Sequence, residues 1–282
     1  MPMSGTLEAL QSLATIPEVE AGLTRAREAC TQLRWHNALR RRTAQAAAES
    51  RVRGARAGAA LEGAEVSVDV VRELVMGMTE WPPEPDPLER VLRASVQGTL
   101  ESEHVRSIIL SSPAQALARL HVAAGSQLLS ADEVGRPRSP GETCEELVEA
   151  GPACDPLDLP GRLAGLYEVV ACHEKVPALV VGAIAHAEIA VMRPFVRGNG
   201  VVARAFERAL VQSCGLDPTG VAVPEVGYLR EASAGYAGAL AAYASGTRDG
   251  VALWLQFSAG ALERGAAEGG AISDAVLAGR LR

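Results

Sequence analysis

Apolar residues recur along this chain at helical spacing, and the runs they form end at glycine or proline. The most apolar run, Val176 to Met192, is interrupted only by His186 and Glu188 among ionisable residues, which predicts a buried helix rather than a membrane span. Pro177 suits the first helical position, where a missing N–H costs nothing. A second helix is predicted from Gly200 to Gln212, with Gly215 as its terminator. Upstream, the pattern predicts helix over 17–53, a second helix started by Ser67 and running to Met78, and then a stiff break at Trp81-Pro82-Pro83-Glu84-Pro85-Asp86-Pro87. Helix resumes from Leu88 to about Leu110 and from Ser112-Pro113 to Ala124.

The segment from Asp132 to Pro160 is rich in Gly, Pro and acids, so its strand propensity is poor. Helix returns after Pro160 towards His173. Beyond the central pair, Val221 to Tyr228 reads as an extended link. Helices are predicted over 231–244 and 251–263, and a weak tail helix over 272–282. No internal repeat is visible. The proline break is the best boundary, giving an N-terminal helical extension over 1–87, a central domain over 88–265 and a tail over 266–282.

Composition agrees with a mainly α fold. Of 282 residues, 48% are hydrophobic but only 4% aromatic, which favours helices packed through Ala and other small side chains. Lys175 is the sole lysine, so nearly all positive charge is arginine, as expected of a GC-rich coding sequence as much as of any ligand. A net charge of −7 argues against a general nucleic-acid binder. The dense group Arg34, Arg40, Arg41, Arg42, Arg51, Arg53 and Arg56 is either a solvated helix face or a patch for an acidic partner. Five cysteines without C-x-x-C spacing read as free thiols of a reducing, cytoplasmic setting, and no secretory signal is visible at Met1 to Thr6. The histidines show no ligand spacing, so no metal site is expected.

The chemistry concentrates at Arg193-Pro194-Phe195-Val196-Arg197-Gly198-Asn199-Gly200-Val201-Val202-Ala203-Arg204. A Gly-Asn-Gly turn opening a helix presents backbone N–H groups beside the positive end of the helix dipole, which suits phosphate. Gly and Asn also serve a plain tight turn between helices. Arg193, Arg197, Gly198, Asn199, Gly200 and Arg204 are therefore the candidate anion-binding residues.

This stretch resembles the signature loop of the Fic (Fido) family, His-x-Phe-x-Asp/Glu-Gly-Asn-Gly-Arg-x-x-Arg. Pro194, Phe195, Gly198, Asn199, Gly200 and Arg204 fit it in register, and weaker similarity extends over about residues 90–265. The resemblance implies a Fido-type helical bundle, here with a reduced flap and an N-terminal helical extension. It also implies a nucleotide-dependent transfer of AMP to a protein hydroxyl. The departures fall on the reacting groups. Arg193 stands where the family has its catalytic His, and a guanidinium cannot accept a proton near neutrality. Arg197 replaces the acid that holds Mg²⁺, and Val201 replaces the first phosphate-binding arginine. His186 lies seven residues before the loop, about 10.5 Å along a helix, too far to serve as base.

Some Fic proteins carry an inhibitory Ser/Thr-x-x-x-Glu-Gly/Asn motif whose Glu pairs with the second loop arginine. Gly58-Ala59-Ala60-Leu61-Glu62-Gly63 is the counterpart here, so the resemblance implies a Glu62 to Arg204 pair. A solvent-facing Glu ahead of a turn is the plainer reading. The expected function is a degenerate Fic-type protein, inactive in adenylyl transfer. It would keep a loop for nucleotide or phosphate, such as ATP without Mg²⁺, and play a regulatory or partner-binding role. The alternatives are an active nucleotidyltransferase, with Glu188 the only nearby acid, and an all-helical interaction scaffold whose cradle is closed by its own carboxylates.

Overall fold

The computed structural model describes residues 3–281, so Met1, Pro2 and the tail's Arg282 lie outside the described residues. Within them the chain forms twelve α-helices and no strand. The helices before the proline break are α1 (Met3–Ala14), α2 (Pro17–Arg34), α3 (Thr43–Leu61) and α4 (Val68–Val75). After it come α5 (Pro87–Val105), α6 (Pro113–Gly125), α7 (Leu159–Ala171), α8 (Ala178–Met192) and α9 (Asn199–Ser213). The chain closes with α10 (Pro224–Leu229), α11 (Ala232–Ala244) and α12 (Arg248–Leu277).

The centre is α8 packed on α9, because α8 is apolar on every side and has no face to give to water. Trp254 of α12 is fully buried and donates its indole N–H to the Ala183 carbonyl at 2.7 Å, fixing α12 across the middle of α8. On the other side α3 lies against α5, where Ser95 Oγ donates to the Ala55 carbonyl at 2.8 Å. Gly58 permits that approach, since a Cβ there would stand 2.7 Å from Ser95 Oγ. The packing brings Glu62, at the end of α3, to the start of α9. Ser67 caps α4 as the sequence predicts, and Asp86 and Glu89 cap α5 reciprocally, a capping box not foreseen from the sequence.

Several predicted elements differ. The stretch 17–53 is two helices separated by a 3₁₀ turn, Asn37–Arg40, where His36 Nδ1 accepts the Ala38 N–H at 3.2 Å in place of a helical bond. The predicted extended link contains α10, which starts on Pro224 and buries Glu225 against Arg208 at 2.9 Å. The two predicted C-terminal helices are one, α12, and position 265 lies inside it. Gly265 and Gly269 weaken a helix intrinsically, but their missing side chains let α12 touch the Val223 and Val221 backbone, and packing overrides propensity.

Most of the dense arginines are engaged within the chain. Arg53 pairs with Glu49 and Glu268, Arg51 with Glu103, and Arg34, Arg42 and Arg56 reach backbone carbonyls. Arg40 and Arg41 are exposed. All five cysteines are free thiols. No helix among the described residues is long and apolar enough to cross a membrane.

Candidate functional site

The loop between α8 and α9 is built by its own side chains. Asn199 is fully buried, and its amide accepts the Phe195 N–H and donates to the Phe195 carbonyl, each at 2.9 Å, closing the turn on itself. Phe195 stacks flat on His121 of α6, with ring centroids 3.6 Å apart. His121 Nδ1 accepts the Gly135 N–H and its Nε2 donates to the Arg197 carbonyl, so the ring bridges the loop to the segment after α6. Burial holds its pKa down at about 4, against the pull of the Arg197 carbonyl, and the ring is neutral.

The nest is formed, and a carboxylate of the same chain fills it. Glu146, from the segment between α6 and α7, accepts the Gly198 N–H on Oε1 at 2.7 Å. Its Oε2 accepts the Asn199 N–H at 2.9 Å and the Asn199 amide at 3.0 Å. Three donors at the start of α9 thus hold one anion, the arrangement a phosphate would use. Burial and the neighbouring Glu62 charge push the Glu146 pKa up, and the three donors only partly offset them.

The three arginines expected around an anion take other positions. Arg193 points away from the nest into the same segment, donating to the carbonyls of Glu146 at 2.8 Å, Leu147 at 2.9 Å and Gly151 at 2.5 Å. It is 1% exposed, and burial is the main influence lowering its pKa. Arg197 is exposed and contributes its carbonyl, not its guanidinium, to the contacts above. Arg204 is buried and donates to Glu62 Oε1 at 2.6 Å and to the Gly58 carbonyl at 3.3 Å. Burial is the largest influence and works against its charge, but Glu62 and Tyr236 together outweigh it and raise its pKa. Gly200 leaves the room for this pair, because a Cβ there would run into the Glu62 carboxylate. Gly63 turns the chain away with φ 88°. The Glu62 to Arg204 contact implied by the resemblance is therefore present in the geometry.

What remains open beside the loop is a cavity of about 210 Å³ between Glu62, Glu146, Arg197 and Val201. That is smaller than the roughly 300 Å³ usual for small-molecule sites. No cluster of three or more His, Cys, Asp or Glu placed to hold a metal occurs among the described residues. His186 is fully buried between Glu207 at 2.6 Å and the Tyr236 hydroxyl at 2.7 Å, a satisfied core histidine far from a base's duty. Glu188 pairs with Arg162 and Tyr243 and does not reach the nest.

Sequence reasoning missed Glu146 altogether. It lies in an acidic run with Glu142, Glu145 and Glu149, and nothing in the local spacing distinguishes it from its neighbours. The segment that carries it, between α6 and α7, forms no strand among the described residues.

No family model matches the sequence, and no curated protein matches it. Among solved structures, a Fic family protein from Desulfovibrio desulfuricans is similar over 89% of this chain and 74% of its own, with TM-score 0.70 and 20% identity. Fic-1 from C. elegans, residues 134–508, matches over 89% of this chain and 71% of its own, with TM-score 0.65 and 17% identity. A Fic domain containing signaling protein from Bacteroides thetaiotaomicron covers 90% of this chain and 98% of its own, with TM-score 0.61 and 12% identity. Helix order, the looped turn into α9 and these likenesses agree: the chain has the helical Fido fold of Fic-family structures.

Proposed function

We propose that this chain is a catalytically silent Fic-fold protein whose former phosphate loop is closed by its own carboxylates and which acts by binding, as a regulatory or scaffolding component. The observation that carries the reading is Glu146 seated on the Gly198 and Asn199 amides. Arg193 supports it further. Three carbonyls engage its guanidinium, which has no lone pair for a substrate hydroxyl proton. The Arg197 side chain offers no oxygen ligand to Mg²⁺. The test is incubation of the purified chain with labelled ATP and a cell lysate. Label on the chain itself or on another protein, abolished by Arg204→Ala, would refute the reading.

A second reading is favoured by one feature of the nest. Its donors already hold an anion, and Arg204 keeps one buried guanidinium nitrogen, Nη1, without a partner. A phosphate group, as in ATP or ADP without Mg²⁺, would satisfy these groups once Glu146 left. Calorimetry with ATP, ADP and phosphate, with and without Mg²⁺, separates the two readings. Heat of binding at millimolar ligand supports nucleotide sensing, and its absence supports the closed scaffold.

A further inference from the structure

We propose that residues 139–156 form a releasable strap over the cradle, locked by two devices acting on one residue: the Gly198–Asn199 nest grips the Glu146 side chain while Arg193 grips its backbone carbonyl. The proposal rests on the closed-cradle reading and says how the closure is regulated. It gives Arg193 a task of its own, since the guanidinium that replaces a proton acceptor is the strap's anchor.

The strap has a small apolar footing and is otherwise held by polar contacts. Ala150 is buried in the core, with Leu147 and Cys154 packed against it, but no other residue of 139–156 is buried and Val148 is 61% exposed, so undocking uncovers limited apolar surface. Its fastenings include Glu146 to the nest, Arg193 to three carbonyls, Arg138 to the carbonyls of Glu142 at 3.1 Å and Cys154 at 2.7 Å, Arg136 to the Glu142 carboxylate at 2.7 Å, and the Cys154 N–H to the Met192 carbonyl at 3.3 Å. Arg138 also donates to the Arg193 carbonyl at 2.9 Å, so the two arginines brace each other. The strap contains five acids, Glu142, Glu145, Glu146, Glu149 and Asp155, and no basic residue; Arg136 neutralises Glu142, while docking sets the Glu146 carboxylate beside that of Glu62, a like charge that opposes closure.

Strain marks the same two points. Leu147 at φ 50° and Arg193 at φ 47° are the only non-glycine residues with positive φ among the described residues, and both lie at the lock. A strained backbone persists where the surrounding bonds impose it. Leu147 lies within the strap and Arg193 holds its carbonyl, so opening frees the strained Leu147, while Arg193 keeps its conformation as the C-cap of α8.

The test is hydrogen exchange by mass spectrometry on the full chain, comparing wild type with Glu146→Ala and, separately, with Arg193→Gln. Each variant should speed exchange across the strap by about tenfold or more, the effect of losing charge-assisted hydrogen bonds. The interiors of α8 and α9 should keep wild-type protection, which checks the fold. Inorganic phosphate at millimolar concentration should slow exchange at the Gly198 and Asn199 amides of the Glu146→Ala variant and leave wild type unchanged. Unchanged strap exchange in both folded variants would overturn the lock while the closed cradle stood. Phosphate binding to wild type with strap and nest still protected would overturn both, because an anion would then enter without release.

Discussion

Arg204 and Glu62, separated by 142 residues of sequence, meet at 2.6 Å with Arg204 only 3% exposed. Removing the carboxylate strands a buried guanidinium left with the Gly58 carbonyl and the neighbouring Tyr236 ring. Breaking a fully buried pair costs about 3–5 kcal/mol, and Glu62 is partly open to water, so Glu62→Gln should destabilise the chain by about 2 kcal/mol. Urea unfolding at pH 7 measures it.

His121 sets an acid limit. Its folded pKa of about 4 lies below the ordinary 6.5, so the unfolded chain binds the proton more tightly. Stability from this site is complete above pH 6.5 and is lost as pH falls towards 4, a contribution of about 3 kcal/mol at neutrality. Protonation would also set an Nδ1 proton against the Gly135 N–H. Unfolding free energies at pH 7 and pH 5 should differ in wild type, and this site's share of the difference should vanish in a folded His121→Asn variant.

Restoring the loop chemistry should not suffice. The triple variant Arg193→His, Arg197→Asp and Val201→Arg regains a base, a metal ligand and a phosphate-binding arginine, but Glu146 still occupies the nest and Glu62 still holds Arg204. Labelled-ATP transfer should stay at background in this variant. Adding Glu146→Ala and Glu62→Gly should be required before any label appears.

Gly227 lets α10 lie on α12, since a Cβ there would stand 2.7 Å from Ala261 Cα and closer still to its carbonyl. Backbone cannot rotate away as a side chain can. Gly227→Ala should lower stability by about 3 kcal/mol, with a matching fall in Tm. Gly238→Ala, where a Cβ meets nothing inside α11, should instead raise stability by about 0.5–1 kcal/mol through helix propensity.

The amino-acid pattern alone specified the loop's position, the helices on either side of it and the break at the proline run, whereas the pairing of Glu62 with Arg204 followed only from the family resemblance, against the plainer reading of a solvent-facing Glu62. Each of these depends on local spacing or on a motif whose residues stand in fixed register. Element ends were less legible. The continuity of α12 through Gly265 and Gly269 reflects close contact with the Val221–Val223 backbone, and the helical turn at α10 reflects the burial of Glu225 against Arg208. Neither contact partner is near in sequence.

The tertiary structure alone decided what fills the nest. Any of four glutamates in the strap has the charge to do so, and sequence holds no measure of which one the fold carries to the Gly198 and Asn199 amides. The same holds for Arg193, whose identity forbids proton abstraction but whose direction depends on where the Glu146, Leu147 and Gly151 carbonyls lie. Chemistry that a residue cannot perform is fixed by its side chain. Where its hydrogen bonds go is fixed by the packing of segments distant along the chain.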